Sequence, residues 1–67
     1  MKRKERRNLA RQIVECEQII ASSSDKVEIQ KAQGTILTLS RKITSLEDMM
    51  EIDVLVQEML EQKNKNS

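Results

Sequence analysis

The chain of 67 residues contains no proline, no histidine and no phenylalanine, tyrosine or tryptophan, and it has one glycine and one cysteine. Helix breakers are therefore almost absent, which favours helix as the regular structure of the whole chain. One thiol cannot close an internal disulfide, and without histidine or a second cysteine the usual zinc ligand sets cannot form. These absences predict an all-α protein with no catalytic site, no metal site and no cofactor, and they argue against an enzyme.

The small size of the chain limits the core that one copy can bury. A domain of about 60 residues buries only roughly 60% of its unfolded surface, and no aromatic ring adds its roughly 150–250 Å² of buried area. Small scaffolds of this kind are usually completed by a disulfide, a metal ion or a partner chain, and the composition excludes the first two. We therefore expect a homo-oligomer, or a module that folds fully on its target.

No apolar run approaches the roughly 18 residues of a membrane span, and the basic start of the chain is not followed by the apolar stretch of a signal peptide. These features predict a cytoplasmic protein that does not contact a membrane. The thiol of the single cysteine is then expected to be reduced.

The spacing of apolar residues predicts three short helices in one domain over residues 1–62, followed by a disordered polar tail over residues 63–67. The predicted helices cover about 3–21, 26–42 and 46–62, and we expect them to form an oligomeric helical bundle. The polar run SSSD separates the first two helices, because its short side chains favour turns and N-caps over helix interiors.

The boundary between the second and third helices depends on the apolar pattern around Thr44 and Ser45. The apolar seam of the second helix would continue to positions 53 and 57, but Asp53 and Gln57 stand there. Thr44 and Ser45 each have an acid three residues later, which is the spacing of a capping box. A separate third helix is therefore predicted, and a continuous bent helix over residues 26–62 is the alternative.

The third helix carries more apolar surface than one neighbouring helix can cover. Two interpretations are open: it is the central helix of its own bundle, or its surplus apolar face is an oligomer interface. The small size of the chain favours the interface. The candidate residues for this oligomer or partner interface are Met49, Ile52, Leu55, Val56, Met59 and Leu60.

Charge is distributed unevenly along the chain. Six basic residues lie in the first eleven positions and are candidate phosphate contacts: Lys2, Arg3, Lys4, Arg6, Arg7 and Arg11. Residues 45–62 carry six acids and no base: Glu47, Asp48, Glu51, Asp53, Glu58 and Glu61. The basic run is typical of an arm that binds nucleic acid through its phosphates. In an up-down-up bundle, however, the starts of the first and third helices meet, so we favour pairing of the basic run with these acids.

Two single residues are also informative. Cys16 lies on the apolar stripe of the first helix, which predicts a buried structural thiol whose pKa is raised by Glu15 and Glu17. Gly34 lies on the polar face of the second helix, where alanine would stabilise the helix by roughly 1 kcal/mol. It is either a neutral exposed position or a place where a partner helix approaches the backbone.

The segment from residues 45–49 (SLEDM) to residues 56–60 (VQEML) follows a basic start that contains Leu9 and Ala10. In these features the chain resembles small all-helical proteins of unknown function from phages and prophages of Gram-positive bacteria. The resemblance implies no catalytic or binding residue. It suggests a protein that binds a host protein and inhibits or redirects it.

Together these features predict a small non-enzymatic protein–protein interaction module, and the resemblance suggests that it is encoded by a phage and regulates or inhibits a host protein. One alternative is a nucleic-acid-binding accessory protein that uses the basic N-terminal arm. Another is a purely structural assembly subunit whose only function is the oligomer.

Overall fold

The structure is a computed structural model that describes the backbone of residues 1–65 and the side chains of residues 1–62. Three helices make up this part of the chain: α1 (Arg3–Ser22), α2 (Lys26–Ser40) and α3 (Leu46–Lys65). Residues 1–65 contain no strand. The predicted all-α fold with three helices is confirmed.

The helix ends differ slightly from the predicted ones. Helix α2 ends two residues before the predicted position 42, because the N–H groups of Lys42 and Ile43 turn back to the carbonyls of Leu39 and Ser40 in a tighter turn. Helix α3 continues three residues past position 62, through two lysines and one asparagine, none of which is a helix breaker. Of the predicted tail, residues 66–67 lie outside the described residues.

Side-chain caps mark the starts of α2 and α3. A carboxylate oxygen of Asp25 accepts a hydrogen bond from the N–H of Val27 at 2.9 Å, and the Ser45 hydroxyl oxygen accepts one from the N–H of Asp48 at 3.1 Å. Each cap satisfies one of the backbone donors that a helix start leaves unpaired. The alternative of one continuous helix over residues 26–62 is therefore wrong, since the chain turns between Ser40 and Leu46.

Helix α1 is the central element of the fold. It packs against both α2 and α3, whereas no Cα atom of α2 lies within 8 Å of α3 among the described residues. Four of the eight buried apolar side chains of residues 1–62 belong to α1: Leu9, Ala10, Val14 and Cys16. The interpretation that the third helix is the central helix is wrong, because α1 presents two adjacent buried rows and so supports two neighbours.

The core is small and is built from aliphatic side chains. Its buried members are Leu9, Ala10, Val14, Leu39, Ile52 and Val56, and Ile13, Ile43, Leu55, Met59 and Leu60 pack at its edge. The accessible surface of the chain is 5430 Å², whereas a compact monomer of this mass exposes about 4,400 Å². No helix in the described part of the chain is long and apolar enough to cross a membrane.

Replacing Gly34 with alanine is expected to raise the free energy of unfolding by about 1 kcal/mol, because glycine is the less favourable residue in a helix. Gly34 lies inside α2, and a Cβ atom added there meets no atom within 4 Å. The melting temperature, followed by far-UV circular dichroism, should rise by about 4–8 °C. The neighbouring exposed substitution Gln33→Ala is the control and should change little. A fall in stability for Gly34→Ala would contradict the helical, open environment of this residue.

Candidate interaction groove between helices α1 and α3

An open groove runs along one side of the α1–α3 pair. Its first part has a volume of about 390 Å³, and it continues into a second part of about 430 Å³ that shares Arg7, Leu55 and Glu58 with the first. On α3 the groove extends from Met50 to Gln62, which is about 18 Å of helix or three turns. We call this feature the α1–α3 groove.

The two sides of the α1–α3 groove differ in chemistry. Helix α1 contributes an arginine row formed by Arg3, Arg7 and Arg11, whose spacing of four residues places them on one side of the helix. Helix α3 contributes both apolar side chains and the acids Glu51 and Glu58. Glu15 of α1 lines the far part of the groove, together with Gln62 and Glu58. The end of the groove near the start of α1 is therefore basic, whereas its far part carries both charges, Arg7 and Arg11 beside Glu15 and Glu58.

Ion pairs fix the start of α1 against the start of α3. The Arg6 Nε atom lies 2.7 Å from Glu51 Oε2, and Arg6 Nη1 lies 3.5 Å from Asp48 Oδ1. The amino group of Met1 lies 3.6 Å from Asp48 Oδ2. Arg6 also donates a hydrogen bond to the Met1 carbonyl at 2.8 Å. The prediction that the basic start of the chain meets the acidic start of α3 is confirmed for Arg6.

The other five candidate phosphate contacts do not take part in this pairing. Lys2, Arg3, Lys4, Arg7 and Arg11 are exposed, and none of them forms an ion pair with a described residue. The predicted internal pairing thus covers one of the six basic residues. Three of the remaining charges form the arginine row along the α1–α3 groove, which leaves their guanidinium groups free to bind an anionic partner.

An apolar stripe on α3 faces solvent. Leu46, Met50 and Val54, spaced by four residues, are 68%, 62% and 56% exposed, and we call them the α3 stripe. Met50 and Val54 also line the α1–α3 groove. The stripe lies on the side of α3 opposite the residues that pack on α1, because positions 46, 50 and 54 are about half a turn from positions 52 and 56. Apolar side chains this exposed are candidates for contact with another molecule.

The α3 stripe differs from the interface predicted from the sequence. Ile52 and Val56 are 2% and 5% exposed inside the core of the single chain, so they are not available to another molecule while α1 and α3 stay packed. Leu55, Met59 and Leu60 are half-buried at the edge of that core, and Met49 is exposed. The most exposed apolar side chains of α3 therefore lie on the row next to the predicted one. The row that contains Ile52 and Val56 is used for packing within the chain.

Cys16 is buried, and its thiol lies on the inner face of α1. Burial and the nearby Glu15 carboxylate raise the pKa of the Cys16 thiol above its ordinary value, because both disfavour the charged thiolate. The predicted direction of the pKa shift and the contribution of Glu15 are confirmed, whereas burial is the larger cause and the predicted contribution of Glu17 is not found. A thiol with a raised pKa is a poor nucleophile, so the side chain acts as a small apolar group of the fold.

The raised pKa of Cys16 predicts a loss of stability at alkaline pH. The unfolded chain releases the thiol proton near pH 8.5, before the folded chain does. This contribution to stability is therefore complete below about pH 8.5 and is lost as the pH rises through the folded-state pKa. Urea unfolding from neutral to alkaline pH, with a reducing agent present, should show a steeper decline for the native chain than for Cys16→Ala. Parallel pH profiles for the two proteins would contradict the prediction.

Among the described residues, no three histidine, cysteine, aspartate or glutamate side chains are grouped as a metal ion would require. No family model matches the chain, and comparisons with curated proteins and with solved structures gave no match. The function is therefore inferred from the α1–α3 groove and the α3 stripe.

Proposed function

We propose that the chain is a non-enzymatic protein–protein interaction module that binds its partner with the α3 stripe and the α1–α3 groove. The observation that carries this proposal is the exposure of Leu46, Met50 and Val54 on one face of a helix, each more than half accessible. Contiguous apolar side chains with a charged rim are characteristic of interaction surfaces. Here the rim is the arginine row, and arginine is enriched at such surfaces.

The dimensions and the chemistry of the groove suit a helical partner. A groove of about three helical turns with an apolar floor accepts the apolar face of an amphipathic helix. Met50 and Met59 line it, and unbranched methionine side chains adapt their shape to a bound surface. The open shape leaves the groove without the enclosed, water-free volume in which catalysis usually takes place.

The biological role follows from the resemblance noted above. Because small phage proteins often bind host proteins, the proposed role is that of a phage-encoded regulator or inhibitor that works as an oligomer. A purely structural assembly subunit would use the same apolar surface and differ only in having no foreign partner. The two roles are separated by asking whether a second protein species binds through the α3 stripe.

Affinity capture from the native host tests the proposal. The bait is the full chain, compared with a variant in which Leu46, Met50 and Val54 are all replaced by glutamine, which keeps the helix propensity high. The matched control replaces Val27 and Leu37, exposed apolar residues of α2, with glutamine. We expect a host protein that the native chain and the control retain and the α3 variant loses. Identical sets of captured proteins for all three baits would contradict the proposal.

A second candidate function, nucleic-acid binding, is favoured by one observation. Five basic side chains at the start of the chain are exposed and form no ion pair within the described residues. The arginine row spans about 12 Å, so it could contact several phosphates along one strand.

The test measures binding to duplex DNA and to single-stranded RNA over a series of salt concentrations. Replacing Arg3, Arg7 and Arg11 with serine should abolish binding if this second function is correct, and binding should weaken steeply with salt. A control that replaces three lysines elsewhere, Lys26, Lys31 and Lys42, removes the same charge and should retain most of the affinity. The absence of binding at low salt would eliminate this candidate.

A further inference from the structure

We infer that the partner in the α1–α3 groove is an amphipathic helix of another protein, with a row of acidic side chains along one edge of its apolar face. The inference rests on the proposed interaction function and names the chemistry of the partner at the same groove. The acids of this helix pair with the arginine row of α1, and its apolar face covers Met50, Val54 and Leu55 on the α3 side.

The arginine row carries positive charges that the chain does not pair internally. Arg3, Arg7 and Arg11 are exposed, and none of them forms an ion pair with a described residue. Successive members are four residues apart, so they recur about every 6 Å along α1. Acids four residues apart on a second helix recur at the same distance. A helix that lies along the groove can therefore place one carboxylate beside each guanidinium group.

The acids that line the groove leave the arginine row available. Glu51 is held by Arg6, whose Nε atom lies 2.7 Å from its Oε2 atom. Glu58 lies on the α3 side and Glu15 in the far part of the groove, and no ion pair within residues 1–62 joins either of them to the arginine row. The matching helix therefore presents acids to α1 and a neutral or basic side chain to Glu58, so its two edges differ in charge.

The walls of the groove favour a helix over an extended peptide. Both walls are helices, which pair their N–H and carbonyl groups internally and so offer no strand edge to which an extended peptide could add. A helical partner also pairs its own backbone groups and contacts the groove through side chains alone. Its apolar face would cover Met50 and Val54, which are 62% and 56% exposed.

The mixed lining of the groove favours an acidic helix over a nucleic acid. A phosphate backbone beside the arginine row would also meet the carboxylates of Glu15 and Glu58. It would leave Met50 and Val54 without an apolar partner. An amphipathic helix uses the basic and the apolar sides of the groove together.

Two designed peptides test the inference, each of about 18 residues and so long enough as a helix to span the groove. Both have a leucine face, and one carries glutamate along one edge where the other carries lysine. The chain contains no aromatic residue, so one tryptophan in each peptide reports binding by fluorescence. We expect the glutamate peptide to bind about tenfold more tightly at low salt, and the difference to shrink as salt is added. Absence of binding by the glutamate peptide, or equal affinities for the two peptides, would overturn the inference.

Charge reversal on α1 tests whether the arginine row makes the contact. Arg3→Glu/Arg7→Glu should weaken binding of the glutamate peptide by about tenfold and strengthen binding of the lysine peptide, because attraction and repulsion are exchanged. Circular dichroism verifies that the variant is folded. The control Lys26→Glu/Lys31→Glu makes the same change of net charge at exposed positions of α2 and should leave both affinities nearly unchanged.

Three outcomes of the charge reversal are decisive against the inference. A preference for the glutamate peptide that survives Arg3→Glu/Arg7→Glu would overturn it, as would an equal loss in the α2 control. Duplex DNA that binds through the arginine row while the glutamate peptide does not bind would assign this surface to nucleic acid instead. If the inference fails while a host protein is still captured through Leu46, Met50 and Val54, the proposed function stands with a partner of different chemistry.

Discussion

Val56→Asp is expected to leave the chain unfolded at room temperature. Val56 is 5% exposed and belongs to the core formed by α1 and α3. The substitution removes apolar contacts and places a carboxylate where no partner charge is available, at a cost of several kcal/mol. Small domains are stable by only about 5–15 kcal/mol, and a chain of this length lies at the low end of that range. Far-UV circular dichroism and urea titration measure the loss of helix and of the cooperative transition.

Val54→Asp is the matched control for this prediction. It makes the same change two residues away on the same helix, at a side chain that is 56% exposed. An exposed aspartate is hydrated, so its effect on the free energy of unfolding should stay within about 1 kcal/mol, mostly from lower helix propensity. Similar destabilisation by the two substitutions would show that α3 does not pack on α1 with the Val56 face.

The positions of the three helices could be predicted from the sequence because the signals are local. The spacing of apolar residues identified each helix, and the caps at Asp25 and Ser45 identified two helix starts, each confirmed by a hydrogen bond from its side chain. The packing order was not predicted. It depends on close approach between helices, which small residues such as Ala10 and Cys16 permit. The amount of apolar surface on α3 suggested that α3 packs against two other helices, whereas in the structure it is α1 that packs against two helices.

The sequence predicted that basic residues at the start of α1 pair with acids at the start of α3, but it did not identify which arginine forms these ion pairs. Arg6 precedes Leu9 and Ala10 by three and four residues, so it lies on the same face of α1 as the core and reaches α3. Arg3, Arg7 and Arg11 lie on the neighbouring row and stay exposed. The spacing of Arg6 from the buried stripe therefore distinguished it from the other arginines. The prediction was based on the charge pattern alone and did not take this spacing into account.

Of the interface residues predicted from the sequence, Ile52 and Val56 lie in the core, whereas Leu55 and Met59 line the α1–α3 groove and Met49 is exposed. The most regular apolar row contains Ile52 and Val56, and a single chain buries that row first because its own α1 is always nearby. The surplus row, the α3 stripe, is what remains for another molecule. In a short helical protein, the candidate interface is therefore better sought in the second apolar row than in the strongest one. The molecule that covers the α3 stripe depends on charged side chains of α1 and α3 that folding brings together. The sequence alone does not show which of these charges become neighbours.

Leu39→Ala is expected to lower the free energy of unfolding by about 2–5 kcal/mol, because it leaves a cavity where α2 packs on α1. Leu39 and Ala32 are the two buried side chains of α2, and in the described part of the chain α2 has no Cα atom within 8 Å of α3. The contacts of α2 are thus concentrated on one face of α1. Leu37→Ala is the control, since Leu37 is 63% exposed, and it should change stability by about 0.5 kcal/mol or less.

Hydrogen exchange should show where the stability lost in Leu39→Ala was located. Helices α1 and α3 are also joined by the ion pair between Arg6 and Glu51, which does not involve α2, and Ile52 and Val56 of α3 share the core with Val14 of α1. We therefore expect the amides of α2 to lose more protection than those of α3, as for a peripheral unit that opens on its own. Equal loss of protection in both helices would show that the three helices unfold as one unit. In that case, α2 would be required for the α1–α3 groove and not merely attached beside it.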